Sequence, residues 1–555
     1  MTLQPGRDDL YFLPLGGTGE VGQNAYLYGH AGSWLLVDLG ISFADERLPG
    51  VDILLPDPGF IAERRDELAG IVITHAHEDH LGALPYLWER LRAPVYATPF
   101  TAAVLRRKFA EFGIADAVEL IEIPQGGRFQ VGPYDLEFVT VTHSVPEANM
   151  LVLRTDAGTT VHTGDWKLDP EPLVGAPFDR DRLAALGDEN VRALVGDSTN
   201  ALTPGHSGSE AAVRESLVNL IEGLTQRVAV TCFATNAARL ESVAKAAEAS
   251  GRRLALVGRA MHTIVRAAQD VGYLQDLPPL LDEREIDSVP RDQLLLLVTG
   301  SQGEARSALS RIAHDNHPWA ELESGDAVIF SSRMIPGNEK AIHGVQNQLM
   351  LRGIDVLTEE DHFVHVSGHP CQDELRQLYD WVRPQVAVPM HGELRHLLAH
   401  ERIARACGVA QRRVPADGQC IRLAPDPCEV VDRVLVGRIA VDGELLSPID
   451  RGPVRERRKL GFQGAAVLTL AVDPDGHIEG DPQLSIYGLV PDTEEGAEMA
   501  DAVLDAVERA VQRLPRRERV NDGSLRETAR LAVRRTLQRI TGRKPMTDVH
   551  LVRLG

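Results

Sequence analysis

The stretch Ala69-Gly70-Ile71-Val72-Ile73-Thr74-His75-Ala76-His77-Glu78-Asp79-His80 decides how the chain is read. Its first six residues form a short apolar run rich in β-branched side chains, which predicts a buried strand. Its last six hold three histidines and an aspartate. Residues two apart on an extended segment point the same way, so His75 and His77 are expected to put two imidazoles on one metal ion. Asp79 and His80 fall at the turn into Leu81-Gly82-Ala83, where a change of backbone direction aims them at a neighbouring position and suggests a second ion. A solvated polar cluster at a strand end is the plainer alternative, but so many ligand-type residues in six positions are hard to place in ordinary packing.

Working outward, the chain has 555 residues, too many for one ordinary core, and typical domain sizes predict two to four domains. With 43% hydrophobic and 25% charged residues it reads as globular rather than fibrous or disordered. The start of the chain lacks a basic region followed by an apolar stretch, and nowhere do 18 or more apolar residues run together, so a cytoplasmic protein without membrane contact is expected. Five widely spaced cysteines form no C-x-x-C pair, which points to reduced thiols rather than a disulfide framework or zinc ribbon. The net charge of −22 opposes generic electrostatic binding to nucleic acid or an anionic membrane. A polyanionic substrate would require positive charge focused locally.

Upstream of the histidine cluster, Gly17, Gly19 and Gly22 satisfy a G-x-G-x-x-G pattern. Two strand-like runs around a turn follow it, whereas a dinucleotide site must open a helix, so these glycines are read as a tight loop near an active site. Asp38 closes an apolar strand, either as a partner for a metal-bound histidine or as a plain turn aspartate. Downstream, strands end in turn at His143, at Gly164-Asp165 and at Gly196-Asp197-Ser198-Thr199-Asn200. Repeated delivery of His or Asp by strand ends implies a site at one rim of a β-sandwich.

The spacing His75-x-His77-x-Asp79-His80, then His143, then Gly164-Asp165 resembles the metallo-β-lactamase superfamily. That resemblance implies His75, His77 and His143 on one divalent ion, Asp79 and His80 on another, Asp165 between them, and a further histidine near the end of the fold.

From about residue 207 four apolar runs alternate with helical segments, the signature of a parallel sheet in an inserted domain. The chain then returns with His365-Val366-Ser367-Gly368-His369 and Pro389-Met390-His391-Gly392-Glu393. An insertion between Gly196-Asp197-Ser198-Thr199-Asn200 and the Ser367-Gly368-His369 loop, followed by Pro389-Met390-His391-Gly392-Glu393, resembles the β-CASP branch of nucleic-acid-cutting enzymes. Joined with Gly300-Ser301-Gln302-Gly303-Glu304 and Ile335-Pro336-Gly337-Asn338-Glu339, the pattern over about residues 8–440 is most similar to the ribonuclease J family. The resemblance makes His391 the last metal ligand and pairs Asp197 with His369 as proton donor, Asp79 sharing in catalysis. It places His365, Ser367 and Gly368 on RNA phosphates, with Phe233, Ser301 and Arg333 as candidates for base stacking and polar contacts.

The expected fold is therefore α/β: a metallo-β-lactamase αββα sandwich with an inserted β-CASP domain and a small C-terminal α/β domain. Its expected parts are residues 1–205 and 356–440 for the sandwich, 206–355 for the insertion, 441–463 as a charged linker with two prolines, and 464–555 for the C-terminal domain. In the last part a strand at 465–472, helices at about 494–513 and 524–540, and a closing strand at 547–552 are expected. Its many arginines read first as a solvated helix face, with contact to RNA as the alternative.

The activity implied is a ribonuclease that uses two divalent ions per chain, zinc and/or manganese. It would act 5′→3′ as an exonuclease preferring single-stranded RNA with a 5′-monophosphate, with some endonuclease action, in RNA decay and maturation, and as a homodimer or higher oligomer. The rivals are a thioesterase- or lactamase-like hydrolase of small molecules, a DNA-directed β-CASP nuclease and a binding scaffold with a dead metal site. An inserted parallel domain argues against the first, and filled ligand positions argue against the last.

Overall fold

The computed structural model describes residues 3–45, 47–335 and 337–554. Pro336, part of one motif quoted above, lies outside them. The residues divide into two compact units, one holding 1–43 and 54–438, the other 44–53 and 439–555.

Two sheets pack face to face in the first unit. One has eight strands, in the order Glu429–Arg433, Gln419–Ala424, Leu10–Gly16, Ala25–His30, Ser33–Val37, Leu68–Val72, Val95–Ala97 and Leu120–Glu122. The other has seven, in the order Gln411–Arg412, Val386–Met390, Ala193–Asp197, Gly158–His162, Asn149–Thr155, Tyr134–Thr140 and Arg128–Val131. Alternation along the strands explains the layers, because successive side chains leave opposite faces. Leu136, Phe138, Leu151, Leu153 and Val195 meet Phe12, Tyr26, Leu35 and Val37 between the sheets. Val139, Val152, Val161 and Leu194 face outward onto Leu375, Leu378, Tyr379 and Ile403, which belong to the helices Gln372–Val382 and Leu394–Ala406. Across the sandwich, Trp34 turns the other way and meets Phe60 of a short helix edge to face. The result is an αββα sandwich.

The inserted sheet has five parallel strands, in the order Arg253–Val257, Leu294–Val298, Val228–Thr231, Ala327–Phe330 and Asp355–Leu357. Four are the apolar runs read from the sequence. The fifth, half-exposed and three residues long, has too little apolar character to be seen beforehand, and it crosses position 355. Crossover helices such as Ala237–Ala249 and Glu339–Leu351 close the core around Leu296, Val298, Val328 and Leu349.

In the second unit, the three-stranded sheet Gln483–Tyr487, Ala465–Val472, Met546–Arg553 is covered on one face by the helices Glu494–Gln512 and Asp522–Thr541. Ala466, Leu468, Leu470 and Val472 point into this core, against Val503, Val507, Leu525, Val533 and Leu537. The stretch 441–463, expected as a linker, holds the strand Leu445–Pro448 and the helix Gly452–Gln463. Its charge reflects exposure, since the helix buries Val454 alone, and Pro453 is accommodated in the first turn, where its missing N–H costs nothing. Among the described residues no helix is long and apolar enough to cross a membrane.

Candidate metal centre and its rim

The strand Leu68–Val72 ends one turn before the helix Glu78–Leu81, and this short break folds the histidine run back on itself. His75 Nε2 and His143 Nε2 lie 3.1 and 3.0 Å from His77 Nδ1, and both lie 3.7 Å from Asp165 Oδ2. On the other side, His80 Nε2 is 3.2 Å from Asp165 Oδ2, and His391 Nε2 is 3.4 Å from Asp165 Oδ1. Asp79 Oδ2 is 3.6 Å from each of these two imidazoles. Ligands bound at 2.0–2.1 Å in a tetrahedron stand about 3.3 Å apart. Both quartets, His75/His77/His143/Asp165 and Asp79/His80/Asp165/His391, have that spacing and share Asp165.

The donors fit a cation chemically. Asp165 Oδ1 is buried without a hydrogen bond. Burial and the neighbouring imidazoles hold His75 and His77 well below the ordinary histidine range, and burial pushes His143 down to about 3, so these three are neutral with a lone pair to offer. Burial also opposes charge on His80 and His391, but the surrounding carboxylates, Asp165 foremost, outweigh it and raise both. That half of the cluster demands positive charge.

Four of the five rings are aimed from behind, whereas His391 Nδ1 is buried without a hydrogen bond. Asp38, with a left-handed φ of 61°, accepts His80 Nδ1–H at 2.7 Å and the Thr74 backbone N–H at 2.8 Å. The Thr74 hydroxyl donates to the same carboxylate and lies 3.0 Å from His75 Nδ1. Of its two sequence readings, Asp38 takes that of a histidine partner. His77 Nε2 faces Ser144 Oγ, and His143 Nδ1–H donates to the Gly368 carbonyl at 2.6 Å. The glycine-rich loop returns to the site as well: the His391 N–H donates to Gly17, and Gly19 donates to Gly392.

His369 lies on the rim. Its Nδ1 is 2.8 Å from Asp197 Oδ2, and Asp197 is fixed by the Thr199 N–H on its other oxygen and by Thr163 on its own N–H. Burial lowers the affinity of this imidazole for a proton, but Asp197 and Asp165 override it and raise the pKa to about 9.

The expected RNA contacts divide. Phe233, Ser301 and Arg333 follow the carboxyl ends of three adjacent strands of the inserted sheet, where open parallel sheets hold ligands. Arg333 reaches Asn200 Oδ1 at 3.2 Å, and Asn200 Nδ2 donates to the His369 carbonyl, so this arginine is tied to the rim. His365 is mostly buried, with Nδ1 unpartnered. Ser367 Oγ accepts the His369 N–H. The Gly368 carbonyl is engaged inward on His143, and a Cβ there would stand 2.6 Å from that ring, so the glycine is a close-approach residue besides any use of its N–H. Sequence reasoning missed Thr74, Asn200 and Asn24, whose amide lies 3.0 Å from His80 Nε2. Thr74 and Asn200 stand inside stretches quoted above, but nothing in those stretches singles them out as partners of the site.

Fold and donor set together define a metal-dependent hydrolase of the metallo-β-lactamase superfamily carrying a β-CASP insertion. Family models agree segment by segment: "Metallo-beta-lactamase superfamily" over 18–229, "Ribonuclease J, beta-CASP domain" over 225–349, "Zn-dependent metallo-hydrolase RNA specificity domain" over 353–410, and "Ribonuclease J C-terminal domain" over 452–554. The chain is 45% identical to a ribonuclease J of Sinorhizobium meliloti over 99% of this chain and 98% of that one. It is 35% identical to a ribonuclease J of Thermus thermophilus over 97% and 94%. A solved structure of a protein of unknown function from Enterococcus faecalis shares the fold at a TM-score of 0.51 and 18% identity, over 75% of this chain and all of that one. The chain belongs to the ribonuclease J family.

Proposed function

We propose that the chain hydrolyses RNA phosphodiester bonds, removing nucleotides from a 5′-monophosphorylated single strand in the 5′→3′ direction, with additional internal cleavage. The observation that carries this reading is the pair of donor quartets sharing Asp165, with the Asp197–His369 pair on the same rim. His75, His77, His143 and Asp165 would hold one divalent ion, and Asp79, His80, His391 and Asp165 a second, zinc or manganese. Such ions supply Lewis acidity toward water and toward phosphate oxygens.

The chain's own residues do the rest. Asp197 orients His369 through Nδ1 and keeps it protonated, so that its other nitrogen delivers a proton to the departing 3′-oxygen. Phe233 and Arg333, at the ends of the inserted strands, would stack on and pair with the incoming strand. His365, Ser367 and the Gly368 N–H would receive a 5′-phosphate. Association as a homodimer or larger assembly belongs to the same reading and is read by sedimentation.

Incubation of metal-replete protein with end-labelled 5′-monophosphate, 5′-triphosphate and 5′-hydroxyl RNAs, beside matched DNA, tests it. Mononucleotides released fastest from the monophosphorylated RNA are expected. Equal rates on all three ends would reject the phosphate pocket, and no cleavage of either polymer would reject the nuclease.

A further inference from the structure

The two helices covering the C-terminal sheet carry opposite charge. On Glu494–Gln512, the residues Glu494, Glu498, Asp501, Asp505 and Glu508 recur at helical spacing and form one outward stripe, away from the buried Val503, Val507 and Val511. On Asp522–Thr541, the ridge Arg526, Arg530, Arg534 advances in steps of four, and Arg535 and Arg539 form a second ridge. The buried side of this helix is Leu525, Ala529, Val533 and Leu537. From Arg513 to Lys544 the chain holds eleven Arg and Lys against three Asp and Glu, in a protein whose net charge is −22.

Local structure does not account for this concentration. Bases near the end of a helix complement its dipole, but Arg526 and Arg530 lie in the first half of theirs, away from the last turn where that gain is made. Arg530 pairs with Glu527 at 2.7 Å. Arg526, Arg534, Arg535 and Arg539 make no ion pair or hydrogen bond among the described residues, although an acidic stripe lies on the adjacent helix. Ten of the eleven cations are arginine, whose planar fork suits phosphate oxygens, and an unpaired guanidinium keeps its donors free for them. A second copy of the chain would also meet opposite charge here. Stable protein interfaces, however, deplete charge at their centre, and the outer face of this helix offers no apolar centre.

We infer that the outer face of the helix Asp522–Thr541 is an anchoring surface for the phosphodiester backbone of single-stranded RNA, in addition to the contacts at the metal centre. This rests on the ribonuclease reading. The helix is about 30 Å long, and its two ridges hold the strand by charge, without base recognition. The acidic stripe alongside repels the backbone and confines it to the basic helix.

The test is fluorescence anisotropy of the full-length protein with a long single-stranded RNA, in chelator so that nothing is cut, across a salt series. Substituting Arg526→Ala, Arg534→Ala, Arg535→Ala and Arg539→Ala together removes no partner of another buried group. Affinity is expected to fall at least about tenfold, and the slope of log K against log salt to become shallower by about 0.7 for each phosphate that the variant leaves unneutralised. Turnover of a trinucleotide with metal present should stay at the parent value, which also shows that the variant folds. The all-lysine version should recover most of the slope. Unchanged affinity and slope overturn the anchoring surface, as does a change in sedimentation with RNA affinity intact, which would assign the face to a second copy. If the parent protein cuts no RNA at all, the nuclease reading fails instead, and the anisotropy still reports on the helix.

Discussion

At the scale of the residue, the site separates a buried donor cluster from a histidine on its rim. Four of the five imidazoles in the two quartets are buried and aimed by partners behind them, whereas His369 is fixed through Nδ1 alone and keeps a fifth of its side chain open to solvent. Replacing His369 with Ala is expected to lower kcat by roughly 10²- to 10⁴-fold with bound metal unchanged, as measured by single-turnover cleavage beside metal analysis. Parallel loss of metal would demote His369 to a structural residue. The contiguous run from His75 to His80 was legible because one turn of backbone places all its donors, so sequence spacing and spatial spacing coincide. Asn24, Thr74 and Asn200 were not, because their roles depend on side chains between one and 169 positions away, and a single Asn or Thr has many bland uses.

At the scale of the element, the inserted domain and the returning loop meet at a buried arginine. Arg239, fully buried, donates to both oxygens of Glu210, to the Ser331 carbonyl and to the Val364 carbonyl, one residue before the His365–His369 loop. Replacing Arg239 with Met leaves Glu210 buried and unpaired, and a cost of about 3–5 kcal/mol is expected, seen as a lower urea midpoint. Arg239→Lys should not restore it, because one ammonium cannot span all those acceptors. Unfolding of either variant at the parent midpoint would refute the assignment.

A second cluster joins the outer sandwich sheet to the helix Arg180–Ala185. Glu137 accepts from Arg182 at 2.5 Å and Arg154 at 2.6 Å, and Glu189 accepts from Arg154 at 2.8 Å. The hydrogen bond from Arg182 depresses the pKa of Glu137 against its partial burial. Because the folded pKa is the lower one, the stabilisation is present above the ordinary glutamate value of about 4.5 and is lost as the pH falls through the folded value. The Glu137→Gln variant should therefore be less stable at neutral pH and lose less on acidification. Parallel acid-unfolding curves would contradict this. The four apolar strands of the insertion were legible from apolar runs alternating with helical segments, but the fifth strand and the ordered stretch at 441–463 were not, since short or exposed elements owe their form to neighbours rather than to their own pattern.

At the scale of the whole molecule, the seven donors come from strand ends and the short helix Glu78–Leu81, spread between residues 75 and 391, so a bound cation would tie together both sheets of the sandwich. Chelation should abolish cleavage and also lower the unfolding temperature, since ligands that bind only the folded state stabilise it. Titrating zinc or manganese back while following calorimetric unfolding checks this. A thermal transition indifferent to chelator would show that the quartets hold no ion in the native protein. The site rim of the sandwich was legible because several of its strands lead into His or Asp, and the inserted sheet because its apolar runs alternate with helical segments. The division into two units, with residues 44–53 clustering with the C-terminal part, was not, because nothing in that short stretch points to so distant a partner.

The hydrogen bond from His143 to the Gly368 carbonyl and the one from His391 to Gly17 span nearly the whole first unit. Synthesis runs from the N-terminus, so a growing chain carries every donor but one long before His391 exists. Neither the rim residue His369 nor the backbone that braces His143 is present until the insertion has been translated. The site is complete only once the inserted domain and the strand returning after it have both been made.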